Sequence, residues 1–371
     1  MTKAVVSRKK ASDALLRLPY EDGLRLALNA VPDLGFQGFK PETGSGYLER
    51  HDRAGRGPGQ VAKTVALGPA KDGKGDWLDG YASALAALAH GVDLPKAKPK
   101  PAVAAVVGHL MSRNEGDGLG DAAELRRIFS ALGFKKTSLW LSGGALATLE
   151  EAGEASVVVS LPHGREAGRI LAERLKVRLI EAELPFGLAR TRRFIETAAG
   201  ALGKDAEAAA FIKSELDDVI PRLEWSVPHA FLNRRFAFAG DPHYGAAFAE
   251  LIAELGGSLE GSMLSAGRHH LAAEERALLE KTGQAHFVPA ASTVRAEWDA
   301  DFWKRVDLLV ADTLLLDTVK PATGWLEFGV PSCLTHYLLE EPSLGFQGCL
   351  AFLSKAATET AKGFCLKVGA A

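Results

Sequence analysis

Several stretches of the sequence group side chains that can do chemistry. In Gly329–His336 (GVPSCLTH), His336 stands five residues after Pro331 and three after Cys333. An imidazole there could ligate iron or nickel, or carry a proton near neutral pH. A thiolate at Cys333 could join it if its pKa were lowered, although a free cysteine is more often a small packed residue. Tyr47–Gln60 (YLERHDRAGRGPGQ) offers Glu49, His51 and Asp52 as metal ligands or proton-transfer groups. Arg50, Arg53 and Arg56 in the same loop supply forked donors suited to carboxylates. Arg113, Asn114 and Glu115 follow the apolar run Val103–Gly108, beyond the carboxyl end of an expected parallel strand, where such sheets hold ligands. The same argument covers His163 in Pro162–Arg165 and Asp241 in Gly240–His243, whose backbone amides open helices and could hold an anion. His269 and His270 are adjacent, and helical neighbours point about 100° apart, so they read as surface residues rather than a metal pair.

Positioning these residues requires strands and helices in alternation. Val103–Gly108, Ser138–Leu141, Ser156–Leu161 and Val177–Ala182 read as buried strands, each bounded by Gly, Pro or charge. Asp121–Leu132 reads as a helix capped by Asp121, with Leu125, Ile128, Phe129 and Leu132 on one face, and Arg165–Leu175 as another. Phe236–Gly240, Gly257–Leu264, His286–Pro289 and Asp307–Thr313 repeat the pattern, with a helix opening at Asp241–Pro242. Alternation of this kind predicts an α/β fold with parallel sheets. The expected division is an N-terminal subdomain 1–100 completed by 331–371, a second subdomain 101–188, a connecting helical segment 189–233 and a third subdomain 234–330. The cluster Arg190–Arg193 opens the connecting helix, as a solvated face or a redox-partner contact.

Composition excludes several classes. With 371 residues and 47% hydrophobic side chains, the chain has ample material for two or three packed units and is not a disordered protein. The net charge is −2, from 44 basic and 46 acidic residues, so there is no strong positive field for nucleic acid. No run approaches the roughly 20 apolar residues of a membrane span. Met1–Ser12 is basic without an apolar signal core, which points to a soluble cytoplasmic protein. A G-x-G-x-x-G after a strand is absent, which disfavours a nicotinamide dinucleotide enzyme. The three cysteines, Cys333, Cys349 and Cys365, all fall late, so they make no disulfide framework and no four-thiolate site within one chain.

Three segments carry a family resemblance. Arg234–Gly257 (RRFAFAGDPHYGAAFAELIAELGG) looks like a strand–GDP–helix opening, and Val106–Gly133 looks like a matching opening in the preceding unit. Glu327–Phe352 (EFGVPSCLTHYLLEEPSLGFQGCLAF) is similar to a C-terminal G-x-P…P-x-x-G-F-x-G signature. Together they resemble the component 1 proteins of nitrogenase and their relatives. These relatives are cofactor-assembly scaffolds, the light-independent protochlorophyllide and chlorophyllide reductases, and the reductive cyclase of a nickel tetrapyrrole. The resemblance implies three Rossmann-like subdomains around a central cleft. It implies a metallocofactor or tetrapyrrole in that cleft and an iron–sulfur cluster near a subunit interface. It also implies a homologous component 1-type partner subunit and electrons from an ATP-dependent iron–sulfur reductase protein. His336 takes the place of a cofactor-ligating histidine of the nitrogenase catalytic subunit. The family's N-terminal cluster cysteines have no counterpart here, which leaves Asp33, Glu42, Glu49 and Asp52 as the nearest carboxylates that could replace one. The implied cluster is therefore shared with a partner subunit or absent. The implied role is a subunit of an ATP-dependent reductase, or a non-catalytic assembly scaffold or carrier.

Overall fold

The computed structural model describes residues 18–31, 34–37, 63–67, 75–95, 97–111, 115–281, 284–319 and 321–369. Strands β1 (Leu34–Gln37) and β2 (Lys63–Ala66) form a two-stranded sheet. Strands β3 (Lys100–Val107), β4 (Lys136–Leu139), β5 (Ala155–Ser160) and β6 (Arg178–Glu181) form a second sheet in the order β4-β3-β5-β6. Strands β7 (Arg235–Gly240), β8 (Ser258–Leu264), β9 (Ala285–Phe287), β10 (Leu308–Ala311) and β11 (Gly324–Glu327) form a third, in the order β11-β10-β7-β8-β9. Every pairing within these sheets is parallel. Parallel strands need helical crossovers that cover both faces, so their sequences run apolar without alternation. Ala104–Val107 and Val157–Val159 are such runs, and all of them are buried. This is the α/β architecture that the alternation predicts.

Each large sheet begins in its interior. The chain leaves β3 on one side to make β4 and returns on the other to make β5 and β6. It leaves β7 toward β8 and β9, then returns for β10 and β11. A crevice therefore opens at the carboxyl ends between β3 and β5, and another between β7 and β10.

One core lies between the two large sheets. Leu125, Ile128 and Phe129 of helix Gly116–Ala131 meet Phe194, Phe248 and Phe352 there. Burying side chains of this size contributes ~1.5–3 kcal/mol each. A second core joins the outer face of the four-stranded sheet to helices Tyr20–Ala30 and Trp77–Gly91 through Leu26, Trp77, Tyr81, Val107 and Leu171. Helix Gly345–Gly369 contributes Phe346, Cys349, Phe352 and Leu353 to the first core. Its apolar face thus seals the junction of the large sheets, where the sequence suggested that it completes the N-terminal subdomain. The expected connecting helix is two helices, Leu188–Leu202 and Asp205–Ala230.

Helix Gly116–Ala131 also starts five residues earlier than expected, so Asp121 is not its cap. Asp121 instead lies inside the helix, and its Oδ1 accepts from the Ser343 and Leu344 amides at 2.5 and 2.8 Å. The strap 337–344 is stitched along this helix, with the Gly116 amide donating to the Tyr337 carbonyl at 2.9 Å. A Cβ on Gly116 would sit 1.9 Å from the Leu339 carbonyl oxygen, so only glycine admits the strap.

Candidate active-site crevice

The two sheet crevices face one another through a single hydrogen bond. His163 lies in the turn after β5, and Asp241 in the turn after β7. His163 Nε2 is 2.7 Å from Asp241 Oδ2, with the side chains 0% and 1% exposed. Asp241 Oδ1 accepts from the His243 amide at 2.7 Å and so caps helix Pro242–Glu254. Burial pushes the Asp241 pKa up, but His163, by charge and hydrogen bond, holds it below the usual carboxylate value. The His243 ring stands edge-on to His163, 4.9 Å away. Burial, with the charge of His163 adding, drives the His243 pKa down to about 3, so its imidazole is neutral. Close packing of glycines makes the turn after β5 possible. A Cβ on Gly108 would lie 2.5 Å from the Gly164 nitrogen, and one on Gly164 would lie 2.6 Å from the Gly108 nitrogen. His109 follows Gly108, and burial pushes it down to about 4.

Carboxylates line the far side. Glu327, at the end of β11, accepts from the amides of Cys333, Leu334 and Thr335 at 2.8, 3.0 and 2.5 Å and from the Thr313 hydroxyl. Burial raises its pKa, but those donors hold it below the usual value. Asp312, after β10, caps the next helix by accepting from the Leu315 amide at 2.8 Å. Burial, with the charges of Glu327 and Asp241 nearby, pushes the Asp312 pKa well above the ordinary carboxylate value. Burial raises Asp121 to about 7 against its two amide donors. A cavity of about 50 Å³ lies among Asp117, Asp121, Tyr244, Glu327 and Tyr337. It has room for a few waters at most.

His336 lies on the outside of this wall. Its side chain is 61% exposed, and Nδ1 stands 2.9 Å from Glu115 Oε1. Glu115 Oε2 accepts from the Tyr337 amide at 3.0 Å, which fixes the carboxylate. The structure therefore joins His336 to Glu115, and His163 to Asp241, but keeps the two pairs apart on opposite sides of the wall. Glu49, His51, Asp52, Arg113 and Asn114 lie outside the described residues, as do Asp33 and Glu42.

The implied groups can be tested against these residues. Cys349 is buried, and burial pushes its thiol far up; Cys365 is exposed near the end of the last helix, and Cys333 sits in the loop held by Glu327. Among the described residues, the one cluster of His, Cys, Asp and Glu close enough to share an ion contains no cysteine. A thiolate-held iron–sulfur cluster does not fit this chain. A multi-metal cofactor or a tetrapyrrole does not fit the 50 Å³ behind His336 either.

Two larger spaces went unread in the sequence. One, of about 450 Å³, is lined by Arg165, Arg190, Arg193, His243, His270 and Glu275. Two of its three arginines are already neutralised, whereas Arg165 donates to the Ser160 and Ala182 carbonyls. Arg190 is buried and reaches Glu250 and Glu275 at 2.8 Å, and Arg193 reaches Glu183 and Glu250 at 2.7 Å. Of the cluster that suggested a solvated face or partner contact, Arg190 is thus a buried brace, Arg193 is half-exposed and Arg192, 60% exposed, lies on a solvated face. The other space, of about 780 Å³, is lined by Tyr20, Asp79, His90, Glu166 and His269. His269 and His270 separate the two spaces, on a tight turn rather than a helix, with their rings 3.9 Å apart. They are not simple surface residues. Gly267, two residues before His269, was the available signal, because a Cβ there would lie 2.6 Å from His269 Nδ1.

The family model for nitrogenase component 1 type oxidoreductases matches residues 56–360. The chain belongs to that family. Among solved structures, this component 1-type chain is similar to "Nitrogenase Cp1 at pH 6.5", at 18% identity and a TM-score of 0.63, covering 81% of this chain and 68% of that one. It is also similar to "Nitrogenase Cp1 at pH 5", at 12% identity and a TM-score of 0.59, covering 82% of this chain and 65% of that one. The chain thus spans about two thirds of the length of those proteins, and at these identities the likeness is one of fold. No curated protein matches the sequence. No helix among the described residues is long and apolar enough to cross a membrane.

Proposed function

We propose that this chain is a component 1-type subunit of an ATP-dependent reductase that carries no iron–sulfur cluster of its own. The observation that carries this reading is the dispersal of the thiols, with Cys349 sealed in the core and Cys365 out on the last helix. The electron-transfer centre would then come from a homologous, cysteine-bearing partner subunit, charged by an iron–sulfur reductase protein. Leu334, Leu338 and Leu339 surround His336 and are 60%, 95% and 73% exposed. Exposed apolar groups so closely spaced fit coverage by that sister subunit, which would also enclose His336 and Glu115. The occupant, of the metallocofactor or tetrapyrrole class, is assigned to the 450 Å³ crevice, which lies beyond the carboxyl ends of β5 and β7. Its volume is in the range of small-molecule sites, roughly 300–1,000 Å³. The chain's own contribution is proton management: neutral His243 borders that crevice, and Asp121, with a folded pKa of about 7, exchanges a proton near neutral pH.

A second reading, a non-catalytic scaffold or carrier for a cofactor precursor, is favoured by the pairing of Arg190 and Arg193 with glutamates, which weakens the crevice's field for a reacting anion. Anaerobic purification separates the two. The first reading expects a colourless, iron-free chain alone, and iron together with ATP-dependent reduction once a cysteine-bearing component 1 partner is co-expressed. A brown, iron-loaded chain purified alone would overturn it. Cofactor binding without reduction in the assembled complex would establish the scaffold.

A further inference from the structure

We infer that Asp76, Asp79, His269 and His270 form a binding site for a single divalent transition metal ion of the zinc type. Each of the four offers one ligand atom, and those atoms lie within 4.8 Å of one another. His270 Nε2 stands 2.9 Å from Asp76 Oδ1, and His269 Nε2 stands 3.1 Å from Asp79 Oδ1. Donors this close need only small side-chain adjustments to reach a shared ion at about 2.0–2.2 Å. Two imidazoles with two carboxylates suit zinc or a neighbouring transition ion, whereas calcium and magnesium prefer oxygen donors alone.

The ligands are oriented by groups that would not themselves touch the ion. Asp76 Oδ1 accepts from the Leu78 and Asp79 amides at 3.0 and 3.2 Å, and Oδ2 accepts from the Gly267 amide at 2.8 Å. A carboxylate has about four acceptor positions, so the backbone occupies three, and the remaining one, on Oδ2, lies 3.0 Å from His270 Nε2. Asp79 uses Oδ2 to accept from the Asp76 amide at 2.9 Å and turns Oδ1 toward His269. Such outer hydrogen bonds are what fix metal ligands in place. The single 3₁₀ turn Arg268–His270 holds the two rings 3.9 Å apart, where neighbours on an α-helix would point about 100° from one another. An entry path exists as well, because Asp79 and His269 line the 780 Å³ space and the His269 side chain is 60% exposed.

The ligands come from segments about 190 residues apart, the start of helix Trp77–Gly91 and the loop after β8. An ion bound there would tie the N-terminal helices to the five-stranded sheet. His270 also borders the crevice of the proposed function, but Asp76, Asp79 and His269 do not line it, so zinc binding and that function are read by different measurements and either can stand without the other.

The test uses the full chain, stripped with a chelator and titrated with zinc sulfate and, in parallel, with cobalt chloride, whose visible bands report coordination. The expected result is one equivalent of zinc, a tetrahedral cobalt spectrum and a rise in melting temperature on zinc addition. The double variant His269→Ala/His270→Ala should lose the cobalt bands and weaken zinc binding more than about tenfold. His336→Ala should bind zinc as the parent does. Should the double variant fail to fold, His269→Ala alone, at an exposed side chain, carries the same expectation. Zinc affinity unchanged in whichever of these variants folds, or no stoichiometric zinc in the parent chain, would overturn the site and leave a histidine–aspartate latch held by protons.

Discussion

Two of the histidine–carboxylate pairs are of nearly equal length and opposite character. His163 and Asp241 meet at 2.7 Å with no solvent, whereas His336 and Glu115 meet at 2.9 Å with the imidazole mostly exposed. The inner pair joins the carboxyl ends of two sheets, so its geometry is over-determined by the fold. The outer pair sits on a strap, and water screens it. The difference teaches that distance alone does not identify a working residue. The inner pair is a keystone, and the outer one is free to meet a ligand or a partner.

Acid should expose this difference most strongly. His109 and His243 have folded pKa values of about 4 and about 3 against an ordinary 6.5. Below pH 6.5 the unfolded chain takes up protons that the folded chain refuses. Their contribution is therefore whole above that pH and is lost as pH falls through about 4 and then 3. Asp121 works in the opposite sense over this range, so the comparison is with a His109→Gln/His243→Gln variant: between pH 7 and pH 3.5 the parent should lose on the order of 5 kcal/mol more than the variant in urea unfolding. An equal loss in the two proteins would erase the distinction between sealed and open histidines.

Asp241→Ala should cost about 3–5 kcal/mol at pH 7, because it strands a buried partner and removes a helix cap. Asp241→Asn, which keeps an acceptor for the His243 amide, should cost less. Chemical denaturation of the two variants checks the order. Asp121→Asn should act in the opposite direction. The folded pKa of Asp121, about 7, lies above its ordinary 3.8, so its stability contribution is full below the latter and lost as pH rises through 7. Both amide donors meet Oδ1, and an amide oxygen can accept the same bonds. At pH 8 the variant should be more stable by roughly 2–4 kcal/mol, and the gain should vanish near pH 4. The smallest effect belongs to His336→Ala, which should change stability by less than about 1 kcal/mol while weakening assembly with the sister subunit. A large loss of stability there would mean that the strap depends on His336 as the core depends on Asp241.

Much of the architecture was legible in the sequence because parallel strands announce themselves. Val103–Gly108 and Phe236–Gly240 are unbroken apolar runs, and the turns after them carry Gly, Asp and Pro at the expected places. The pairing of the two crevices was not legible. His163 and Asp241 lie 78 residues apart, and nothing local says that their sheets meet. Asp121 was misread because an Asp before an apolar face resembles a cap, whereas the helix starts at Gly116 to receive the strap. Arg190 and Arg193 looked like a solvated patch because their glutamate partners are distant in sequence, up to 85 residues for Arg190. His269 and His270 were judged by helical geometry, and the chain makes a tight turn there instead.

The strap bears on how the protein is made. Its anchors on Glu115 and Asp121 join residues 222 positions apart. At translation rates of about 5–20 residues per second, roughly 10–45 s separate the synthesis of the two halves of that contact. During this interval the four-stranded sheet can assemble while the first turns of helix Gly116–Ala131 stand bare, with the glycines that later admit the strap weakening them. The nascent chain thus passes through a stage in which the wall that the strap later closes is open.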